Sequence, residues 1–159
     1  MSSQNNVSRI LLVEDDLAIM ETLAVFLHYE GYEVLKARSV SRAFELLQAT
    51  KPDLILLDYM LQDDTAEPVV HLVRRDFPGV PILLLTAADD PSGKSRTIGT
   101  DGFVAKPFEL DALLRQVRFT LQRSETEADM PVISTRSSLE SKQPPGATMW
   151  SSPVRLPDI

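Results

Sequence analysis

The chain has 159 residues, a formal net charge of −7 and no cysteine. This length suits one domain with a short appendage, and the acidic balance excludes a chain-wide basic surface for nucleic acid. Disulfides, thiolate metal sites and a cysteine nucleophile are excluded as well. The N-terminus lacks a signal-peptide core and no apolar run approaches the roughly 20 residues that span a bilayer. We therefore expect a cytoplasmic protein without membrane contact.

Short aliphatic runs alternate with helical patterns through the first half of the chain. Residues 10–13 predict a first strand, and the apolar spacing that follows predicts a helix ending at Gly31. Residues 32–35 predict a second strand, after which Ser39 can cap a second helix. Residues 54–57 are a continuous aliphatic run, which is typical of a strand buried on both faces.

The same alternation continues in the second half. A helix is predicted over residues 65–77, and a fourth strand over residues 82–85. Asp90-Pro91 starts a short, weak helix that reaches Ile98. Residues 103–105 predict a brief fifth strand, and the apolar spacing from residue 110 to residue 121 predicts a last amphipathic helix.

Five strands alternating with five helices predict an α/β fold with a doubly wound parallel sheet. We expect the folded domain to cover residues 8–122, preceded by a disordered stretch over residues 1–7. Residues 123–159 are rich in serine and proline, which predicts a disordered tail or a linker. No second hydrophobic pattern follows, so we expect either a stand-alone domain or a linker to an output domain.

Polar residues follow four of the predicted strands. Glu14 and Asp15 follow the first strand, Asp58 the third, Thr86 the fourth and Lys106 the fifth. In a parallel sheet the carboxyl ends of strands share one edge, where ligands bind. Three crowded carboxylates favour a divalent cation such as Mg²⁺, with Mn²⁺ as a substitute, and a carboxylate can form an acyl phosphate. A glycine-rich phosphate loop is absent from the sequence, so a nucleotide is not the obvious phosphoryl donor.

Four motifs stand in order on these elements: ILLVEDD, LILLDYM, LLLTA and FVAKPF. With them, residues 8–122 resemble the receiver domain of bacterial two-component response regulators, in particular the single-domain chemotaxis regulators. The resemblance implies a flavodoxin-like fold with strand order 2-1-3-4-5. It also implies Mg²⁺-dependent phosphotransfer from a sensor histidine kinase or a phosphotransfer protein, which switches contacts with a downstream protein.

The resemblance assigns a role to each strand-end residue. Asp58 matches the phosphoacceptor, and Glu14, Asp15, Asp58 and the backbone carbonyl of Met60 match the metal ligands.

Thr86 matches the switch hydroxyl, Lys106 the phosphoryl-binding lysine and Phe103 the rotameric aromatic switch. The bond between Lys106 and Pro107 is expected to be cis. Helix four, strand five and helix five form the output face of the family, which allows a phosphorylation-dependent homodimer. Direct nucleic-acid contact is not expected.

Plainer interpretations remain open for these residues. Asp58 could cap the turn that follows its strand, and Glu14 and Asp15 could serve only as acids at a helix N-terminus. Phe103 could be plain core, and Lys106 a solvated side chain. Two alternative functions follow: a degenerate receiver that acts as a constitutive scaffold, or an aspartyl-nucleophile phosphatase. The phosphatase is disfavoured because such enzymes carry a second acid two residues after the nucleophile.

The sequence also departs from the family pattern. Gln62 and Ala66 stand where the family often has proline and glycine. Only 19 residues separate Thr86 from Lys106, which is fewer than is common, and Gly93 lies within the predicted fourth helix. Glycine costs about 1 kcal/mol there relative to alanine. We therefore expect an altered output face and unaltered phosphorylation chemistry.

Overall fold

Five parallel strands form the central sheet of the computed structural model, which describes residues 6–62 and 64–129. The strands of this sheet are numbered β1 (Arg9–Val13), β2 (Glu33–Ala37), β3 (Leu54–Asp58), β4 (Ile82–Thr86) and β5 (Gly102–Ala105). Their order is β2-β1-β3-β4-β5 and every pairing is parallel. The expected doubly wound order 2-1-3-4-5 is therefore confirmed.

Helices cover both faces of this sheet. They are α1 (Leu17–Tyr29), α2 (Val40–Ala49), α3 (Glu67–Asp76), α4 (Pro91–Ile98) and α5 (Leu110–Asp129). Side chains of α1 and α5 form one apolar cluster with the sheet, whereas those of α2, α3 and α4 form the other. The five expected helices are present, and the two layers explain why the strands are almost wholly aliphatic.

Strand β3 shows how the aliphatic run is used. All five of its residues are buried, because successive side chains point to opposite faces and both faces are covered. Leu54 and Leu56 join the cluster on the α1 and α5 side, and Ile55 and Leu57 join the other. Asp58 is thereby fixed at the carboxyl end of a strand that has no freedom to slip in register.

Two helix starts follow from the capping residues. The Asp16 carboxylate accepts a hydrogen bond from the Ile19 N–H at 2.9 Å, which caps α1. The Ser39 hydroxyl accepts one from the Arg42 N–H at 3.1 Å, which caps α2 as the sequence predicts.

Two predicted boundaries are wrong for a tertiary reason. Strand β2 runs from Glu33 rather than Tyr32, because the Tyr32 N–H donates to the Leu27 carbonyl at the end of α1. Helix α3 starts at Glu67 rather than at residue 65, because Asp64–Thr65 pairs antiparallel with Met60–Leu61 in a short hairpin. Both corrections depend on pairings that a single sequence does not display.

The last helix runs past residue 122, where the domain is predicted to end, since α5 continues to Asp129. Most side chains beyond Leu121 are exposed, so the apolar spacing stops although the helix does not. Good helix formers and an ion pair between Arg123 and Glu127, 3.4 Å apart, support this extension instead. Residues 1–5 and 130–159, on which the remaining disorder predictions fall, lie outside the described residues.

Helix α4 is short but has a cap at each end. The Asp90 carboxylate accepts a hydrogen bond from the Gly93 N–H at 2.9 Å, and Gly99 ends the helix with a positive φ of 88°. A Cβ atom at Gly93 would overlap the Asp90 carboxylate. Gly93 therefore gives room to the cap, which offsets the low helix propensity of glycine.

This arrangement predicts a coupling between Gly93 and Asp90. Gly93→Ala alone should change the free energy of unfolding little, because the gain in helix propensity of about 1 kcal/mol is offset by a lost cap of similar size. In an Asp90→Ala background, Gly93→Ala should stabilise by about 1 kcal/mol. Urea denaturation of the four proteins of this double-mutant cycle measures the coupling. Equal effects of Gly93→Ala in both backgrounds would contradict it.

None of the helices within residues 6–62 and 64–129 has both the length and the apolar character needed to cross a membrane.

Candidate functional site

Three buried polar side chains lie at the carboxyl ends of neighbouring strands. Glu14 follows β1 and is 1% exposed, whereas Asp58 ends β3 and is 5% exposed. Thr86 ends β4 and is 2% exposed. Strand β1 lies between β2 and β3, so the strand order reverses direction at β1. The carboxyl end of β1 is therefore the topological switch point, where open α/β sheets bind ligands.

Lys106 supplies the positive charge at this edge. Its backbone N–H donates to the Thr86 carbonyl at 2.8 Å, which holds the residue just after β5 beside the end of β4. Its Nζ donates to Asp58 Oδ2 at 2.7 Å and lies 3.7 Å from Glu14 Oε2. The short contact is a charge-assisted hydrogen bond, and the longer one is electrostatic only. Lys106 is therefore paired with Asp58 and is not a solvated side chain.

Asp58 is held through both of its carboxylate oxygens. Oδ2 accepts from Lys106, and Oδ1 accepts from the backbone N–H of Met60 at 3.1 Å. The following residue, Tyr59, donates its N–H to the Leu85 carbonyl and so ties the turn to β4. The carboxylate thus has a fixed direction at a reachable strand end.

Glu14, Asp15 and Asp58 form an acidic cluster, with one oxygen from each within 4.8 Å of the others. Glu14 Oε1 accepts a hydrogen bond from the Asp16 N–H at 3.1 Å, but Glu14 Oε2 is buried without a hydrogen-bond partner. Burial, followed by the adjacent Asp58 carboxylate, raises the pKa of Glu14 to about 7. A bound cation would pair with the free oxygen of Glu14 and would favour the ionised form of its carboxyl group. The cluster therefore fits a divalent metal.

Thr86 and Phe103 lie on the same face of the sheet, as the parallel register requires. Phe103 pairs with Leu84, and Thr86 pairs with Ala105 two residues further along. The Thr86 hydroxyl oxygen accepts a hydrogen bond from the Ala88 N–H at 3.1 Å. Phe103 is half-buried and packs against the cluster that contains Leu84. Thr86 thus reaches the site edge, while Phe103 belongs to the packed layer beside it.

The peptide bond between Lys106 and Pro107 is cis, as the resemblance implies.

One further residue contacts the acidic cluster. Arg38 follows β2, and its Nε and Nη2 donate to the backbone carbonyl of Asp15 at 3.4 Å and 3.2 Å. This contact ties the loop that carries Asp15 to the end of a neighbouring strand. No direct signal for this contact exists in the sequence, because the second strand is predicted over residues 32–35 and Arg38 directly follows only the observed strand, which runs to Ala37.

A second contact was also missed. The Lys94 ammonium on α4 lies 4.0 Å from the ring centre of Tyr59, the residue after Asp58. A cation over an aromatic ring is attracted by its quadrupole, by about 0.5–1 kcal/mol at an exposed site. The pair connects α4 to the turn at the candidate site, and no spacing in the sequence predicts it.

With this fold and this site, the chain belongs to the response regulator receiver domain family, whose model matches residues 10–118. Among curated relatives, it is 34% identical over 117 residues to the probable transcriptional regulatory protein TcrX of Mycobacterium tuberculosis, covering 72% of this chain and 50% of TcrX. It is 33% identical over 147 residues to the phosphate regulon transcriptional regulatory protein PhoB of Pseudomonas aeruginosa, covering 84% of this chain and 64% of PhoB. The chain thus spans about half to two-thirds of the length of these relatives.

Solved structures show the same architecture. A CheY-like receiver domain protein from Methanospirillum hungatei JF-1 superposes with a TM-score of 0.71 at 27% identity, covering 77% of this chain and 99% of that one. The chemotaxis protein CheY4 of Vibrio cholerae superposes with a TM-score of 0.67 at 28% identity, covering 72% of this chain and 98% of that one. The resemblance read from the four sequence motifs is therefore confirmed.

Proposed function

We propose that Asp58 accepts a phosphoryl group from a phosphohistidine and that this modification switches the chain's contacts with another protein. The observation that carries the proposal is the Lys106 ammonium, 2.7 Å from Asp58 Oδ2, at the edge of a buried acidic cluster. A carboxylate with a fixed direction can act as a nucleophile, and a positioned ammonium can stabilise the charge of a transferring phosphoryl group.

In the proposed phosphoryl transfer, every bond formed and broken can be accounted for. An oxygen of the Asp58 carboxylate attacks phosphorus, a new O–P bond forms, and the P–N bond to the histidine of the donor breaks. The departing imidazole retains the bonding electron pair and takes a proton. Lys106 exchanges its hydrogen bond with Asp58 for one with a phosphoryl oxygen, and the Thr86 hydroxyl donates to another. Catalysis of this kind consists almost entirely of positioning and charge stabilisation.

The residues that would hold Mg²⁺, or Mn²⁺ in its place, are Glu14, Asp15, Asp58 and the backbone carbonyl of Met60. The cation would neutralise charge that develops on the phosphoryl oxygens. The proposal is supported by the unpartnered oxygen of Glu14 and by its raised pKa, because both indicate a place prepared for positive charge. Arg38 contributes by holding the loop of Asp15.

The output would pass through the sheet face that carries Thr86 and Phe103. Movement of the Thr86 hydroxyl toward the phosphoryl group would vacate space beside Phe103, and the output face formed by α4, β5 and α5 would change. The contact between Lys94 and Tyr59 places α4 within reach of the same turn. We propose that the phosphoryl donor is a sensor histidine kinase or a phosphotransfer protein and that the exchange takes place in the cytoplasm.

The comparisons limit the expectation of no direct nucleic-acid contact to this chain itself. TcrX and PhoB are named transcriptional regulatory proteins, and MtrA of Mycolicibacterium smegmatis, 37% identical over 121 residues, is named a DNA-binding response regulator. The chain covers only 50–64% of these proteins. We propose that this chain itself contacts proteins. Its net charge is −7, whereas binding to the phosphate backbone of a nucleic acid favours a basic surface.

Substitution of Lys106 tests the proposed role of its ammonium. Lys106→Ala should lower the rate of Mg²⁺-dependent labelling of Asp58 by acetyl phosphate by at least about 100-fold, because a pre-positioned charge is lost. Lys51→Ala, which removes an exposed ammonium ahead of β3 at the opposite edge of the sheet from Asp58, is the matched control and should label at a rate close to that of the wild type. Intact-mass spectrometry over time measures both rates.

Two outcomes would overturn the proposed function. Wild-type protein that is never acylated on Asp58 in the presence of Mg²⁺ would favour the constitutive scaffold. Asp58-dependent turnover of small phosphoesters would favour the phosphatase, although Met60 occupies the place of its second acid.

The lifetime of the phosphoryl group gives a separate prediction. Met60 is 64% exposed and Ala88 half-buried beside the site, and neither side chain can position or activate a water molecule. Acyl phosphate should therefore persist for minutes or longer, and Met60→Glu should shorten this time. Phosphate-affinity gels after removal of acetyl phosphate measure the decay, with Phe119→Glu as a control at another exposed apolar residue. A wild-type lifetime of seconds would refute this account.

A further inference from the structure

The loop that carries the acidic cluster is fastened to the end of β2 at two points. The Glu14 N–H donates to the carbonyl of Ala37, the last residue of β2, at 3.1 Å. One residue further along each segment, the Arg38 guanidinium donates to the Asp15 carbonyl. The first contact joins backbone atoms and needs no particular side chain, whereas the second depends on the side chain at residue 38. The placement of Asp15 is therefore sensitive to the identity of that residue.

Arg38 presents two donors to one acceptor. Its Nε lies 3.4 Å and its Nη2 3.2 Å from the Asp15 carbonyl oxygen, so one edge of the planar guanidinium faces that oxygen. Each contact is long for a hydrogen bond, but two donors on a rigid fork restrict the direction of the acceptor more than one donor does. Lysine carries a single ammonium on a flexible stem and cannot reproduce the fork. The contact is therefore specific to arginine.

The contact leaves the carboxylate of Asp15 available. The acceptor is the backbone carbonyl, and within residues 6–62 and 64–129 Arg38 forms no ion pair with an acidic side chain. A guanidinium paired with the Asp15 carboxylate would compete with a metal ion for its oxygens. Arg38 thus holds Asp15 in place without neutralising it, which suits a residue that binds a divalent cation.

We propose that Arg38 is a positioning residue for the metal site: by holding the Asp15 carbonyl, it sets the direction in which the Asp15 carboxylate enters the acidic cluster. This inference rests on the proposed function, because it gives Arg38 a role in the same site. Residues that orient metal ligands contribute strongly to affinity, and Mg²⁺ demands near-ideal geometry from its few protein ligands.

Asp15 is the carboxylate of the cluster that most needs such support. It is half-buried, whereas Glu14 and Asp58 are buried. The carboxylates of Glu14 and Asp58 also accept hydrogen bonds of their own, from the Asp16 N–H in one case and from the Met60 N–H and Lys106 in the other. The direction of the Asp15 side chain therefore depends on how its backbone is held, and the backbone is held by Arg38.

The positive charge of Arg38 opposes its positioning effect. A guanidinium near the cluster repels a divalent cation, although solvent and salt screen this repulsion because Arg38 is exposed. A role as a charge alone predicts that removing the charge strengthens Mg²⁺ binding. A positioning role predicts that removing the fork weakens it. Arg38→Lys separates the two effects, because it keeps the charge and removes the fork.

Isothermal titration of Mg²⁺ into the full chain tests the inference. Arg38→Lys should raise the dissociation constant for Mg²⁺ by about tenfold, the lower end of the cost of losing a residue that orients a metal ligand. Arg42→Lys is the matched control and should leave it unchanged, because Arg42 is exposed on α2 and pairs with Glu45 at 2.7 Å. Wild-type affinity in Arg38→Lys would overturn the inference, and tighter binding by Arg38→Ala would then assign Arg38 the role of a repelling charge.

The Mg²⁺ dependence of phosphorylation gives a second readout. With acetyl phosphate as donor, Arg38→Lys should need about tenfold more Mg²⁺ to reach half of its maximal rate of labelling on Asp58. The maximal rate should equal that of the wild type, because Asp58 and Lys106 are unchanged. A reduced rate at saturating Mg²⁺ would place Arg38 in the chemical step and contradict a positioning role.

Failure of this inference can be told apart from failure of the proposed function. A wild type that neither binds Mg²⁺ nor is acylated on Asp58 would refute the proposed function itself. A wild type that does both, beside an Arg38→Lys protein with the same Mg²⁺ affinity, would refute only the role of Arg38. Urea denaturation of the metal-free proteins verifies that each variant is folded before its affinity is compared.

Discussion

Asp58→Asn should abolish covalent phosphorylation completely. The amide is not a nucleophile at neutral pH, and the other carboxylates of the acidic cluster have different surroundings. Glu14 is buried with a raised pKa, and Asp15 forms no ion pair with a lysine within the described part of the chain. Acetyl phosphate with Mg²⁺ should therefore add one phosphoryl group to the wild type and none to the variant. Intact-mass spectrometry measures the loss, and digestion with peptide mapping identifies the site.

Asp58→Asn should also affect stability, and this second effect distinguishes a loss of phosphorylation chemistry from a loss of folding. Burial is the largest cause of the raised pKa of Glu14, and the nearby Asp58 carboxylate raises it further by like-charge repulsion. Removing the charge of Asp58 should ease ionisation of Glu14, so metal-free Asp58→Asn should be at least as stable as the wild type above pH 7. Phosphorylation at another residue of Asp58→Asn would reject the assignment, whereas loss of labelling by an unfolded variant would not support it. Urea denaturation therefore accompanies the labelling experiment.

Metal-free protein should lose stability as pH rises from about 4.5 to about 7. The pKa of Glu14 is 4.5 in the unfolded reference and is raised to about 7 in the fold. In that window the native state binds more protons than the unfolded state, so the free energy of unfolding falls as the proton is removed. The shift corresponds to a loss of up to about 3 kcal/mol, with 1.36 kcal/mol for each pKa unit.

Glu14→Gln isolates this effect from the other titrating groups. Glutamine resembles the protonated carboxyl at every pH, so the stability difference between wild type and variant should decline through the same window. Urea denaturation at several pH values without metal gives the difference. A difference that does not change between pH values below and above the window would contradict the raised pKa of Glu14.

The affinity for Mg²⁺ should rise with pH, whereas the stability of the metal-free protein should fall. A bound cation replaces the proton on Glu14, so the apparent affinity should fall by up to about tenfold for each pH unit below about 7. Above that pH the affinity should level off. Isothermal titration calorimetry in buffers of different ionisation enthalpy measures both the affinity and the proton released. Binding without proton release near pH 6 would show that Glu14 is not a ligand.

Much of the fold could be predicted because the aliphatic runs and the helical spacing alternate regularly. Glu14, Asp15, Asp58 and Lys106 could be grouped because the strands that precede them are parallel and therefore end at one edge. The structure brings these four side chains together. Thr86 reaches the same edge, whereas Phe103 lies in the packed layer.

The sequence was a weaker guide where an element depends on a distant partner. The hairpin of Met60–Leu61 and Asp64–Thr65 is too short to leave a periodic pattern, and it displaced the predicted start of α3. The extension of α5 to Asp129 has no apolar face, so hydrophobic spacing could not reveal it.

By itself, then, the sequence determined the order of strands and helices and the residues at the strand ends. The reason is that buried positions recur at a regular spacing, which is visible directly as a spacing of apolar residues along the chain. Only the tertiary structure decided that Glu14 Oε2 is buried without a partner and that Lys106 is bonded to Asp58, because burial and contact depend on elements far apart in sequence. The same holds for α1. Its sequence is apolar nearly all round, and only packing against the sheet shows that Val25 and Tyr29 are left in solvent.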